Sequence, residues 1–239
     1  MAYWALKILL TPLLRIAFSV RCIGRANVPR SGPVILASNH RSFIDSIFMP
    51  LCVRRRVTFV AKAEYFESWK TAWLFRALGM IPLDREGGSA SERALVAARR
   101  VLADGGVLGI YPEGTRSRDG RLYKGHTGVA RLALDTGAVV VPVAQSGTAE
   151  AQPIGVLIPK LGKKVTVEFG CPITLAGQSP DGTPVAASEL RRMSDQVMSA
   201  IAAMSGQEQV GAYARHDRER LSAPGSEAEP LLLVADTPG

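Results

Sequence analysis

Short apolar runs at residues 34–37, 57–61, 81–83, 107–111 and 139–143 alternate along the chain with stretches of helical spacing. This alternation limits the fold more than any other feature. The runs at 107–111 and 139–143 are rich in β-branched residues and lack the apolar–polar alternation of a half-exposed strand, so they read as central strands covered on both faces. Between the runs the spacing predicts helices over 42–51, over 69–78 with Gly79 as its stop, from the capping box Ser89-Ala90-Ser91-Glu92 to Leu102, and over 126–135. Residues 164–169 read as a more exposed strand and 189–204 as a closing helix. Strand and helix in this order imply an α/β layered domain with a largely parallel central sheet flanked by helices. A hydrophobic share of 47% over 239 residues is enough to cover such a sheet on both sides, and no repeat period competes with it. The spacing suggests three parts: an N-terminal segment at 1–28, the α/β domain at 29–205, and a polar, Gly/Pro/Glu-rich flexible tail at 206–239.

The formal charge of +8 lies entirely in residues 1–60, where nine Lys and Arg face a single acid, Asp45. Such a region suits an anionic partner: nucleic acid, phospholipid or a phosphorylated ligand. Residues 2–20 are apolar apart from Lys7, Thr11, Arg15 and Ser19, whose four-residue spacing places them on one helical stripe. Two charges and Pro12 argue against a membrane span, while a membrane-surface helix with snorkelling cations fits the pattern. A buried core helix and a signal peptide ending near Ala17-Phe18-Ser19 are the competing readings. Nucleic acid is disfavoured, because stacking aromatics and a recognised binding motif are both missing from the basic region. Cys22, Cys52 and Cys171 are widely spaced with no C-x-x-C pair, which predicts neither a disulfide framework nor a Cys-based metal site and fits a reducing compartment.

Three clusters of polar residues stand at strand ends, and a lone lysine stands before a helix. His40 follows the strand at 34–37, and Asp45 lies five residues on. The two side chains meet only if His40 sits on the turn before a helix and Asp45 in its first turn. A carboxylate there would fix the imidazole tautomer and leave the second nitrogen to take a proton; Ser42-x-x-Asp45 is equally a capping pattern. Tyr111-Pro112-Glu113-Gly114-Thr115-Arg116-Ser117 leaves the next apolar run at the sheet edge where α/β proteins place ligands, with Arg116 suited to a phosphate. Asp84-Arg85 follows a third strand, and Lys124 precedes a helix start.

In this order, Asn39-His40-Arg41-Ser42-Phe43-Ile44-Asp45, Gly79-Met80-Ile81-Pro82-Leu83-Asp84-Arg85, Tyr111 to Ser117, and Val141-Pro142-Val143-Ala144 resemble the four blocks of the glycerophospholipid acyltransferase family. The bacterial 1-acylglycerol-3-phosphate acyltransferase branch is the nearest in pattern. The resemblance runs from about Val34 to Ile173, with Tyr111 where the family usually has Phe. It implies His40 as general base and Asp45 as its orienting acid. It also implies a glycerol-phosphate site made of Arg85, Glu113, Gly114, Thr115 and Arg116, with Lys124 as an addition and Pro142 shaping an acyl channel.

The partners implied are lysophosphatidic acid, an acyl thioester (acyl-CoA or acyl carrier protein) and a membrane phospholipid surface on the cytoplasmic face. No metal or further cofactor is implied. The resemblance also leads one to expect a helical pair at the N-terminus, broken at Thr11-Pro12. Arg54-Arg55-Arg56 would meet headgroups or the phosphates of coenzyme A, or form a solvated turn. Acylation of glycerol 3-phosphate or another lipid hydroxyl is the alternative within the class, and a non-catalytic phospholipid-binding module the alternative outside it.

Overall fold

The computed structural model describes residues 2–61, 66–67, 69–82, 90–176 and 185–214. Seven strands form one sheet: β1 (Arg21–Ile23), β2 (Val34–Ser38), β3 (Val57–Ala61), β4 (Met80–Pro82), β5 (Val107–Ile110), β6 (Val139–Ser146) and β7 (Thr166–Phe169), ordered β1-β7-β6-β2-β5-β3-β4. The five central and right-hand strands are parallel, while β7 runs antiparallel to β6 and carries β1 with it. The sheet is therefore largely parallel, as the apolar runs imply. The three-residue β1 is too short to announce itself in the sequence.

Strand alternation sends Val34, Leu36, Phe59, Val107, Val141 and Val143 to one face of the sheet. There they pack under α2 (Asp45–Cys52) with Phe18 and Phe75. Ile35, Ala37, Leu108, Ile110 and Val140 point to the other face, under α4 (Ala90–Ala103), α5 (Gly128–Thr136) and α7 (Ala187–Ser205). The helix α3 (Trp69–Ala77) adjoins β4, and the one-turn α6 (Thr148–Ala151) follows β6. Ser89, the first residue of the expected capping box, lies outside the described residues.

The N-terminal segment departs from expectation in two ways. First, α1 (Ala2–Ala17) is a single helix with Pro12 inside it. Thr11 does not cap a second helix; its hydroxyl donates back to the Lys7 carbonyl one turn earlier. Second, the cations of the polar stripe face the protein. Lys7 Nζ donates to the carbonyls of Val53 and Arg55, Arg15 lies against Cys22 Sγ, and the Tyr3 hydroxyl accepts the Val57 amide. The expected snorkelling cations are thus turned inward, and Trp4, Ile8, Leu9, Leu13 and Ile16 point away from the domain.

The cysteines also depart from their reading. Cys22 on β1 and Cys52 at the end of α2 form a disulfide across 30 residues of chain. The expectation of no disulfide is corrected here, because the fold, not local spacing, brings the pair together. Cys171 is free and exposed. The tail reading needs correction as well, since residues 206–214 are docked. Leu122 N donates to Glu208 O, Val210 N to Leu122 O, and Lys124 N to Ala212 O, which lays this strap beside residues 120–124. Residues from 215 onward lie outside the described residues.

Candidate active site

His40 and Asp45 come together at the C-terminal edge of β2. The chain leaves the strand at Ser38 and turns through Ser42–Ile44, where Asp45 N donates to Ser42 O, before α2 begins at Asp45. That turn brings the imidazole back over the first helical residue, and His40 Nδ1 donates to Asp45 Oδ2 at 2.8 Å. The same oxygen accepts the amides of Arg41 and Ser42, each at 2.8 Å. The carboxylate that holds the turn therefore also holds the ring, whereas the capping box does not form: the N-cap of α2 is Ile44, without a side-chain cap bond, and Ser42 Oγ donates elsewhere. His40 Nε2 has no hydrogen-bond partner among the described residues.

The ring rests on Tyr111, stacked at 3.8 Å and 9°. Tyr111 in turn shares a hydrogen bond with Ser46 and stacks on Phe59. Phe59 reaches it across Gly109, where any Cβ would stand 2.2 Å from the Phe59 ring. Burial pushes the Tyr111 phenol well above its ordinary range, a shift reinforced by the Asp45 charge, so it stays a neutral platform. A shallow apolar crevice adjoins Ser46 between α1, α2 and α3, lined by Leu6, Leu10, Ile47 and Leu51 among others.

The loop after β5 clasps the peptide of His40 from both sides. Glu113 Oε1 accepts His40 N at 3.2 Å, and Ser117 N donates to His40 O at 2.8 Å. The other Glu113 oxygen accepts Tyr123 N at 2.9 Å. Burial lifts the Glu113 carboxyl to about 8 although both amides oppose the shift. Gly114, at φ +74°, closes the turn with its amide on Tyr111 O, a backbone conformation that favours glycine.

A profile of the acyltransferase family matches residues 19–146, which include the His40–Asp45 pair and the whole Glu113–Ser117 loop. The chain belongs to the acyltransferase family. Among curated acyltransferases, the chloroplastic 1-acyl-sn-glycerol-3-phosphate acyltransferase of Arabidopsis thaliana is 32% identical over 139 residues, 58% of this chain and 39% of that protein. The 1-acyl-sn-glycerol-3-phosphate acyltransferase of Borreliella burgdorferi is 30% identical over 122 residues, covering 50% of this chain and 48% of that one. The chain thus matches between two-fifths and half of the length of these relatives. The crystal structure of the 1-acyl-sn-glycerophosphate (LPA) acyltransferase PlsC from Thermotoga maritima superposes with a TM-score of 0.62 at 26% identity, over 84% of this chain and 78% of that one.

The other residues singled out in this acyltransferase fall into three groups. Gly114, Thr115 and Arg116 lie on the loop beside His40, Thr115 and Arg116 both half-buried. Arg85 and Asp84 lie outside the described residues. Glu113, Pro142 and Lys124 have protein neighbours of their own. Both Glu113 oxygens hold backbone amides, so it braces the site rather than presenting a group to a ligand. Pro142 pairs with Ala37 in the sheet interior, on the face covered by α7; Tyr111 and His40 stand on the opposite face, because strand side chains alternate. The Lys124 ammonium sits 5.1 Å from the Tyr213 ring centroid, on the C-terminal strap. The arginine run at 54–56 is likewise remote. It precedes β3 at the opposite sheet edge, where Arg55 donates to the carbonyls of Pro29, Gly32 and Gly105 and Arg56 lies over Tyr3.

Sequence reasoning passed over a polar frame behind His40. Asn39 Oδ1 accepts Gln145 N, Asn39 Nδ2 donates to Gln145 O and to Gln207 Oε1, and Gln207 Nε2 donates to Gly120 O. Ser42 Oγ donates to Gln152 O at 2.7 Å. One signal for it was present: Gln145 is a buried amide ending an otherwise apolar strand, and such a group needs partners.

Proposed function

We propose that this acyltransferase esterifies 1-acylglycerol-3-phosphate to phosphatidate, taking the acyl group from acyl-CoA or acyl carrier protein, with no metal or other cofactor. The observation that carries the reading is the His40–Asp45 pair: a tethered Nδ1 and an Nε2 unpartnered among the described residues, beside an arginine-bearing loop. The relatives' names supply the acceptor.

In this reading His40 Nε2 takes the proton of the acceptor hydroxyl as its oxygen attacks the thioester carbonyl. Asp45 stabilises the imidazolium that forms. The tetrahedral intermediate collapses with cleavage of the carbon–sulfur bond, and the imidazolium returns its proton to the departing thiolate. Arg116, Thr115 and the Gly114 backbone, with Arg85, would receive the glycerol phosphate. The outward apolar face of α1 would lie on the cytoplasmic face of the membrane as a peripheral or monotopic contact; no helix among the described residues is long and apolar enough to cross a bilayer.

The test is thiol release from long-chain acyl-CoA with 1-acylglycerol-3-phosphate, with glycerol 3-phosphate and with neither. Release should require the lysolipid and fall by roughly 10²–10⁴-fold in His40→Ala. Release with glycerol 3-phosphate alone would move the acceptor assignment, and release into water would make the chain a thioesterase.

A further inference from the structure

Between α6 and β7 the chain forms an ordered loop whose apolar side chains face outward. Its shape is fixed by backbone and amide bonds: Lys160 N donates to Ala151 O at 2.7 Å, Val156 N to Pro153 O at 3.1 Å, and Gln152 Nε2 to Leu157 O at 3.0 Å. Yet Leu157, Ile158 and Leu161 are 78%, 77% and 72% exposed, values otherwise matched among the large apolar residues described only on the outer face of α1. Lys160, Lys163 and Lys164 are exposed among them, and residues 152–167 contain no acid.

Two connections place this loop. Gly162 N donates to Ala17 O at the end of α1, one residue beyond the outward Ile16, so the apolar surface of the helix continues into the loop. At its other end, Gln152 receives the Ser42 hydroxyl, and the Ser42 amide is bound to the carboxylate that orients His40.

We propose that residues 153–164 are a second membrane contact, in which Leu157, Ile158 and Leu161 enter the acyl layer of an anionic phospholipid surface while the three lysines meet headgroup phosphates. The proposal rests on the membrane reading of α1 given above and extends it to the rim of the active site. A bilayer fits better than a protein partner. The cores of protein interfaces are poor in lysine and rich in aromatics, whereas this loop is aliphatic, lysine-studded and without aromatic residues. Aliphatic insertion flanked by cations is the chemistry of an anionic interface. The contact would seat the lipid acceptor where the loop meets the His40 frame.

Cosedimentation of the full chain with vesicles of phosphatidylcholine and phosphatidylglycerol at 3:1 tests this, against phosphatidylcholine alone. Two triple variants are compared: Leu157→Ser/Ile158→Ser/Leu161→Ser in the loop and Ile8→Ser/Leu9→Ser/Ile16→Ser in the helix. The loop variant should need about tenfold or more lipid for half-binding, with an unchanged thermal midpoint because the replaced side chains are exposed. Lys160→Gln/Lys163→Gln/Lys164→Gln should lose most of the preference for phosphatidylglycerol. Wild-type binding by the loop variant, with the helix variant released, would overturn the loop contact and leave the membrane reading standing. A wild-type chain that binds neither vesicle would overturn both. A wild-type dimer that the loop variant turns into monomers, with vesicle binding intact, would assign the surface to a second copy of the chain and also overturn the proposal.

Discussion

Helices α1 and α7 are both amphipathic, and they are mounted in opposite senses. In α7 the apolar stripe of Leu190, Met193, Val197, Met198 and Ile201 is buried against the sheet, while Arg192 and Glu189 pair in solvent. In α1 the cations of the polar stripe meet the domain and the apolar residues look outward. The outer surface of α7 is made for water. That of α1 carries exposed Ile8, Leu9, Leu13 and Ile16, which form far more than scattered surface hydrophobics. An amphipathic pattern therefore reports that a helix has two faces and not which of them the protein keeps.

The contrast can be broken most forcefully in α7. Val197→Asp buries an unpaired charge at a fully enclosed position and should cost about 4 kcal/mol or more, read by urea denaturation. The next effect separates the sheet rim from α1 by pH. Glu113, with a folded value of about 8 above its ordinary 4.5, binds a proton more readily in the folded chain; stability is full below about 4.5 and falls as pH rises through 8. Glu113→Gln should flatten that decline.

Lys7 then sharpens the helix comparison in the window above it. Burial, with the nearby Arg25 charge, lowers its ammonium from 10.5 to about 8, so the unfolded chain binds the proton more readily and stability rises between pH 8 and 10.5. Lys7→Met should remove a rise of about 1 kcal/mol after allowance for partial exposure, seen in thermal midpoints across that range. Smallest of all, Leu9→Ser with Leu13→Ser should change stability in detergent-free buffer by no more than about 0.5 kcal/mol. A large loss there would mean that α1 packs its apolar side inward after all.

Much of the fold was legible because its central strands are continuous apolar runs, a pattern that admits few alternatives. The turn at 40–45 was legible too, since only one placement lets His40 reach Asp45. What escaped were relations between distant residues. Nothing local in Cys22 and Cys52 marks them as neighbours, and β1 is only three residues long. The partners of Glu113 were not legible for a physical reason: an acid in a Gly-containing loop looks like a ligand-facing group until both its oxygens are found on amides. Lys7 was misjudged for the reason that applies to α1 as a whole, because a lysine among leucines carries no sign of whether lipid headgroups or backbone carbonyls receive it.

The bond from Asn39 to Gln207 has a consequence in time. All four motif blocks lie before residue 146, yet the amide that bridges Asn39 to Gly120 is supplied some sixty residues later in the chain. Domains fold as units while synthesis proceeds from the N-terminus. A nascent chain that has emerged through β6 already carries His40, Asp45 and Arg116, but its histidine turn still lacks one of its fastenings. The turn that carries His40 is in this sense fastened last, by a segment that lies beyond all four motif blocks.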